Sequence, residues 1–142
     1  MELDYLNKYP NFREIVQLVA NKSPLQKIKI LNFHKKVDQY YFEKAENFSI
    51  NFKDFLKSQN SNLETATKAY LKMCADMMIS HLYFYKHNKY PLDLQKDAFE
   101  KVYDNVTEMR SYVYGIAISQ FLWPTHYAMY NFFIKQIKKE KL

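Results

Sequence analysis

SNLETATKAYLKMCADMMISHLYFYKH, the stretch from Ser61 to His87, decides the fold class. Leu63, Ala66, Tyr70, Met73, Cys74, Met77, His81, Leu82 and Tyr85 recur at intervals of about three to four residues. That rhythm draws one apolar stripe down a helix, whereas a half-buried strand alternates every second residue. Ser61 with Glu64 has the spacing of a capping box, so the helix is expected to open at Ser61. It is expected to stop near His87-Asn88, before a loop at Tyr90-Pro91-Leu92. Cys74 sits among Met73, Met77 and Met78 on the apolar stripe, which predicts a buried thiol in a Met-lined part of the core.

Helix signals continue in both directions. Asn11 with Glu14 has capping-box spacing ahead of Phe12, Ile15, Val16 and Val19, predicting a helix from Asn11 to Asn21. Ser23-Pro24 with Gln26 predicts the next, with Ser as N-cap and Pro in the first turn. It is expected to run to about Glu46, with Leu25, Ile28, Leu31, Val37, Tyr40 and Tyr41 on its inner side. Phe48 to Lys57 reads as a short helix, and Ser58 to Asn62 as a polar break. Past the central stretch, a short helix is expected from Asp93 or Leu94 to Tyr103. Another opens at Asn105, with Glu108 at capping-box spacing, and carries Val106, Met109, Val113, Ile116 and Phe121. Pro124 lacks a backbone N–H and must end or kink that helix. Thr125 begins the last one, with Met129, Phe132, Phe133 and Ile137 as its apolar face and Lys135 to Lys141 as a lysine-rich tail. The expectation is a single all-α domain over residues 1–142. It is a compact bundle of about six helices, the last two joined at a Pro kink near Trp123-Pro124.

Composition narrows the function classes. The chain has 142 residues, 48% of them apolar and 25% charged, which is globular and not disordered. It has one glycine, against about ten at average usage. A Rossmann fingerprint, a P-loop or a nucleophile elbow cannot be written with one glycine. Gly115 falls inside a predicted helix, where Gly costs about 1 kcal/mol relative to Ala. Close approach of another helix or of a ligand is the natural compensation. The net charge is +6. Only Arg13 and Arg110 are arginines, and the lysines are spread along the chain. Lysine lacks the bidentate fork that reads phosphates and bases, so nucleic acid is not the expected partner. One cysteine excludes an internal disulfide, the first residues lack an apolar leader core, and Val113 to Ile134 is too polar to span a membrane. A cytoplasmic location is expected.

No metal site is expected. His81, His87 and His126 show no ligand spacing, and His34 with Asp38 at i,i+4 reads as a surface contact. No residue is assigned a catalytic role. The densest chemistry is Phe121-Leu122-Trp123-Pro124-Thr125-His126-Tyr127, which joins two helices and holds the only Trp. It is either a packed corner plugged by Trp123 or part of a ligand or interdomain surface. In the second case His126 is a hydrogen-bonding or acid–base group.

Val102-Tyr103, Met109, Tyr112 and Gly115, followed by Ser119-Gln120-Phe121-Leu122-Trp123-Pro124 and His126-Tyr127, carry a resemblance. They resemble the helical region ahead of the catalytic domain in a group of bacterial class I S-adenosylmethionine-dependent methyltransferases. Tyr70-Leu71-Lys72-Met73 and Tyr83-Phe84 fit the same region. The resemblance implies the N-terminal domain of a longer two-domain protein. Its roles would be substrate recognition, covering the active site or dimerisation, without activity of its own. It implies Tyr112, Trp123, His126, Tyr127 and Tyr130 as substrate-facing residues. It also implies a catalytic domain as partner, homodimerisation as a further mode of association, and S-adenosylmethionine as a cofactor held by that domain. No Gly-x-Gly loop exists in this chain to hold it. Two further readings stand beside it: a stand-alone helical protein-interaction module and a basic nucleic-acid-binding domain.

Overall fold

The computed structural model describes residues 2–91, 101 and 103–140. Among them are six α-helices and no strand, so the all-α expectation holds. They are α1 (Pro10–Lys22), α2 (Pro24–His34), α3 (Gln39–Ser58), α4 (Leu63–His87), α5 (Val106–Leu122) and α6 (Pro124–Glu140), preceded by a 3-10 turn at Asp4–Leu6. The expected short helix at 94–103 lies almost wholly outside the described residues.

Helix α1 is the hub and packs on α2, α3 and α4. Its Phe12, Ile15, Val16 and Val19 are all buried, as their spacing requires. Its start differs from expectation. The helix opens at Pro10, with Asn11 already inside it, and no side chain of its own caps it. The Glu46 carboxylate of α3 does so instead. It accepts the backbone N–H of Asn11 at 3.1 Å and of Phe12 at 2.8 Å, and the Asn11 side-chain amide at 2.7 Å. Glu14, freed from capping, pairs with Lys53 at 2.7 Å.

Ser23 caps α2 by accepting from the Gln26 N–H at 3.2 Å. The expected long helix to Glu46 does not form. The chain breaks after His34, and Asp38 starts α3 by accepting from the Tyr41 N–H at 3.0 Å. Helix α3 then runs unbroken to Ser58, absorbing the expected short helix. The break rotates the faces. Leu25, Ile28 and Tyr40 are exposed, while Gln26, Ile30, Phe33, His34 and Tyr41 turn inward. The polar break after Ser58 is present, with Asn60 left-handed at φ 52°.

Asn62, not Ser61, caps α4, accepting from the Thr65 N–H at 2.9 Å. The helix ends at His87 as expected, on Asn88 in the left-handed region at φ 56°. Asn tolerates that conformation better than most residues, which is why it can close a helix without glycine. Only the first half of α4 is buried, through Leu63, Ala66, Tyr70 and Met73. From Met77 onward the apolar residues face solvent, including Met78, Ile79, Leu82 and Tyr85. The Met cluster is therefore split: Met73 is core, and Met77 and Met78 are surface. Cys74 is half-buried between them.

Helices α4 and α5 make the most extensive packing in the fold. Gly115 lies at their crossing. A Cβ there would stand 3.1 Å from Met73 Sδ, 3.3 Å from Met73 Cβ and 3.4 Å from the Ala69 carbonyl oxygen. The absent side chain lets the helices approach. Asn105 caps α5 through the Glu108 N–H at 3.0 Å. The face differs from expectation: Val106 and Val113 are exposed, and Tyr114, Ile118, Phe121 and Leu122 are buried. Helix α6 starts at Pro124, one residue before the expected Thr125, and has no buried residue. Met129, Phe132 and Phe133, expected as its inner face, are 68%, 66% and 62% exposed.

Candidate functional site

Trp123 alone separates α5 from α6. Its backbone is extended (φ −109°, ψ 125°), and Pro124 begins the next helix. Proline fixes its own φ at a helical value and disfavours a helical residue before it, so Trp-Pro sets a corner here and not a gentle kink. The Trp123 indole Nε1–H donates to the Tyr70 hydroxyl at 2.8 Å, and that hydroxyl donates to Gln26 Oε1 at 3.0 Å. Tyr70 and Gln26 are buried, so this relay satisfies polar groups that would otherwise be costly. Burial pushes the Tyr70 phenol well up, keeping it a neutral donor.

His126 packs its ring 4.6 Å from the Trp123 ring. Its Nδ1 lies 2.7 Å from Ser119 Oγ, which is 2.8 Å from the Ile116 carbonyl oxygen. One hydroxyl proton serves one acceptor. With that proton on the Ile116 carbonyl, His126 Nδ1–H donates to Ser119 and Nε2 keeps its lone pair. Partial burial holds the His126 pKa below its ordinary value, so the ring is neutral near pH 7. Ser119 is fully buried, so the pair is a structural link and not a nucleophile with its base.

The other three candidates lie elsewhere. Tyr127 packs edge-on against Tyr41 at 4.9 Å and against Phe33 at 6.2 Å. Tyr130 rests on Phe121 at 5.3 Å. Both border a groove of about 930 Å3 between α3 and α6. The groove gathers Lys36, Lys44, Lys135 and Lys138, which are distant in sequence. The Lys44 ammonium sits 4.5 Å from the Tyr40 ring centre and 4.7 Å from that of Tyr127. Tyr112 belongs to a separate cavity of about 350 Å3 between α4 and α5, with Met77, His81 and Glu108. The five residues do not share one cleft. Trp123 instead borders a cavity of about 690 Å3 with Cys74, Met77, Met78 and Leu82.

Comparison with protein-family models, curated proteins and solved structures finds no match.

Two polar networks have no clear signal in the sequence. Tyr5 donates to His34 Nδ1 at 2.6 Å, and His34 Nε2–H reaches the Tyr41 hydroxyl at 3.2 Å. Tyr41 in turn donates to the Phe121 carbonyl. His34 was expected at the surface beside Asp38. It is 6% exposed, because the break after it turns its ring into the core. Burial lowers its pKa from 6.5 to about 4 and raises Tyr5 to about 12. The second network is the Glu46 cap on α1. Among the described residues no three His, Cys, Asp or Glu side chains come together as a metal site. No described helix is long and apolar enough to cross a membrane.

Proposed function

We propose that this chain is the helical docking and substrate-recognition domain of a class I S-adenosylmethionine-dependent methyltransferase. The observation that carries this reading is the outer face of α6. Seventeen residues form a regular helix with none buried, and Met129, Phe132 and Phe133 stand exposed along it. Large apolar side chains grouped on one helix face mark a surface that another body covers. The helix begins within the Ser119–Tyr127 run that resembles these enzymes, so the catalytic domain is the partner of choice. S-adenosylmethionine would belong to that domain, since the only glycine of this chain is taken up by the α4–α5 crossing.

The Ser119–Tyr127 run supports this reading by building the corner. Phe121 and Leu122 fill the core, Ser119 holds His126, and Trp123 holds Tyr70. The run thereby fixes the angle at which α6 leaves the bundle. Sequencing the coding region downstream of Leu142 tests the proposal. A strand followed by a Gly-rich loop and a helix is the expected result. In the intact enzyme, Phe132→Asp with Phe133→Asp then lowers methyl transfer by disturbing docking. A stop codon in that place would sink the proposal in its two-domain form. The second reading, a stand-alone interaction module, is favoured by the exposed Met77, Met78 and Leu82 of α4. Met-rich surfaces adapt to varied partners. That reading predicts a stop codon after Leu142 together with concentration-dependent association.

A further inference from the structure

Helix α2, the outer half of α4 and the α5–α6 corner form three walls of one open cavity. Its volume, about 690 Å3, falls within the range of small-molecule sites, roughly 300–1,000 Å3. Phe33, Met77, Met78, Leu82, Leu122 and Trp123 make it mainly apolar. Burial raises the Cys74 pKa, so the thiol in the wall is neutral and adds to the apolar surface.

The charged residues of the cavity are of one sign. Lys29 stands on α2 and Lys36 in the turn that follows it, both bordering the cavity. Neither is ion-paired with a described residue, although other lysines of this chain are. No Asp or Glu among the described residues lines the cavity. An apolar floor with an unpaired cationic edge selects by both ends of a ligand. A neutral hydrocarbon would leave the lysines unused, a cation would be repelled, and a polyanion would have to desolvate its charge against the methionines.

We propose that this cavity binds an amphipathic organic anion, an apolar chain or ring body ending in a single carboxylate or comparable anionic group. The body lies on Met77, Met78 and Trp123, and the anionic end sits at Lys29 and Lys36. Lysine suits this role, because a flexible point charge meets a single carboxylate without the fixed geometry that arginine imposes. Methionines suit it because their unbranched side chains reshape around bodies of different outline. The residues named for the site all belong to this chain, so it does not depend on a methyltransferase partner.

Trp123 is the only tryptophan and lines this cavity, so its fluorescence responds to a ligand bound there. The full chain is titrated with dodecanoate below its micelle concentration. Dodecanol and dodecyltrimethylammonium serve as probes with the same tail and a neutral or cationic head. The expected result is a saturable blue shift with dodecanoate, with affinity about tenfold or more above that for the two other heads. Raised salt should weaken it. Lys29→Glu with Lys36→Glu changes exposed positions and leaves the helical circular dichroism unchanged, yet is expected to remove the preference for dodecanoate. Lys36→Gln alone should reduce it part-way. Equal affinity for the three probes, binding insensitive to both lysine variants, or no saturable response from the folded chain would each overturn the proposal. None of these outcomes bears on whether a catalytic domain follows Leu142, so the two proposals fail separately.

Discussion

At the scale of single residues, His34 has the largest consequence. Its ring is held neutral between the Tyr5 and Tyr41 hydroxyls, with a pKa of about 4 against 6.5 for an exposed histidine. Between these values the unfolded chain binds more protons than the folded one. Stability therefore rises with pH through that window, is fully present above about 6.5, and is lost as pH falls towards 4. The amplitude is on the order of 3 kcal/mol. Denaturant unfolding at several pH values should show this slope, and His34→Phe should flatten it between pH 5 and 6.5. A variant with an unchanged slope would mean that the exposed carboxylates, whose effects fall lower, dominate instead. Tyr114 gives the opposite kind of test. Its hydroxyl is buried with no hydrogen-bond partner among the described residues, while its ring packs on Phe52 and Phe55. Tyr114→Phe should leave stability unchanged or raise it by about 1 kcal/mol, because an unsatisfied polar group is deleted. A clear loss would reveal a partner for that hydroxyl.

At the scale of elements, the joints between helices set the arrangement. Gly115 lets α4 and α5 cross with Met73 against the bare backbone. Gly115→Ala gains about 1 kcal/mol in helix propensity but would stand 3.3 Å from Met73 Cβ, which is fixed to the α4 backbone and gives way only if the helices part. The expected net effect is a loss of about 1 kcal/mol, with Gly115→Val costing about 3 kcal/mol, read as shifts in unfolding midpoint. Glu46→Ala removes the cap that α3 supplies to α1 and should cost about 2 kcal/mol. Glu46→Gln, which keeps one oxygen acceptor, should cost less. These joints also mark how far the sequence was legible. The caps at Ser23 and Asn105, the stop at Asn88 and the α5–α6 corner could be read because each depends on neighbouring residues. The Glu46 cap could not, since donor and acceptor are more than thirty positions apart. The break at Asp38 was hidden by apolar residues that continue a helical rhythm across it. Once the break went unseen, the faces of α2 and α3 and the burial of His34 were misjudged together. The candidate residues Tyr112, Trp123, His126, Tyr127 and Tyr130 share a stretch of sequence, yet a corner and two helix faces send them to different places.

At the scale of the whole molecule, apolar residues are divided between a core and a surface that periodicity alone cannot tell apart. The rhythm in α4 and α6 is real, but the outer half of α4 and the outer face of α6 extend past the layer that buries α1 and the first half of α4. Ile79, Leu82, Phe132 and Phe133 are more than 60% exposed, which apolar side chains of a closed bundle would not be as a group. A surface of this kind should make the chain self-associate when no other partner covers it. Sedimentation velocity over a range of concentrations is expected to show a monomer giving way to dimers or larger species, less so at low temperature, where the hydrophobic driving force weakens. Phe132→Asp with Phe133→Asp places two charges on the outer face of α6 and removes no core contact. It should restore the monomer while shifting the unfolding midpoint little, because exposed substitutions away from caps and cores rarely exceed about 0.5 kcal/mol. If the double variant unfolds instead, α6 is held by those phenylalanines and the face is part of the core in solution. If the unmodified chain stays monomeric at every concentration, the exposed aromatics do not act as a joined surface. The docking role proposed for α6 then loses its physical basis.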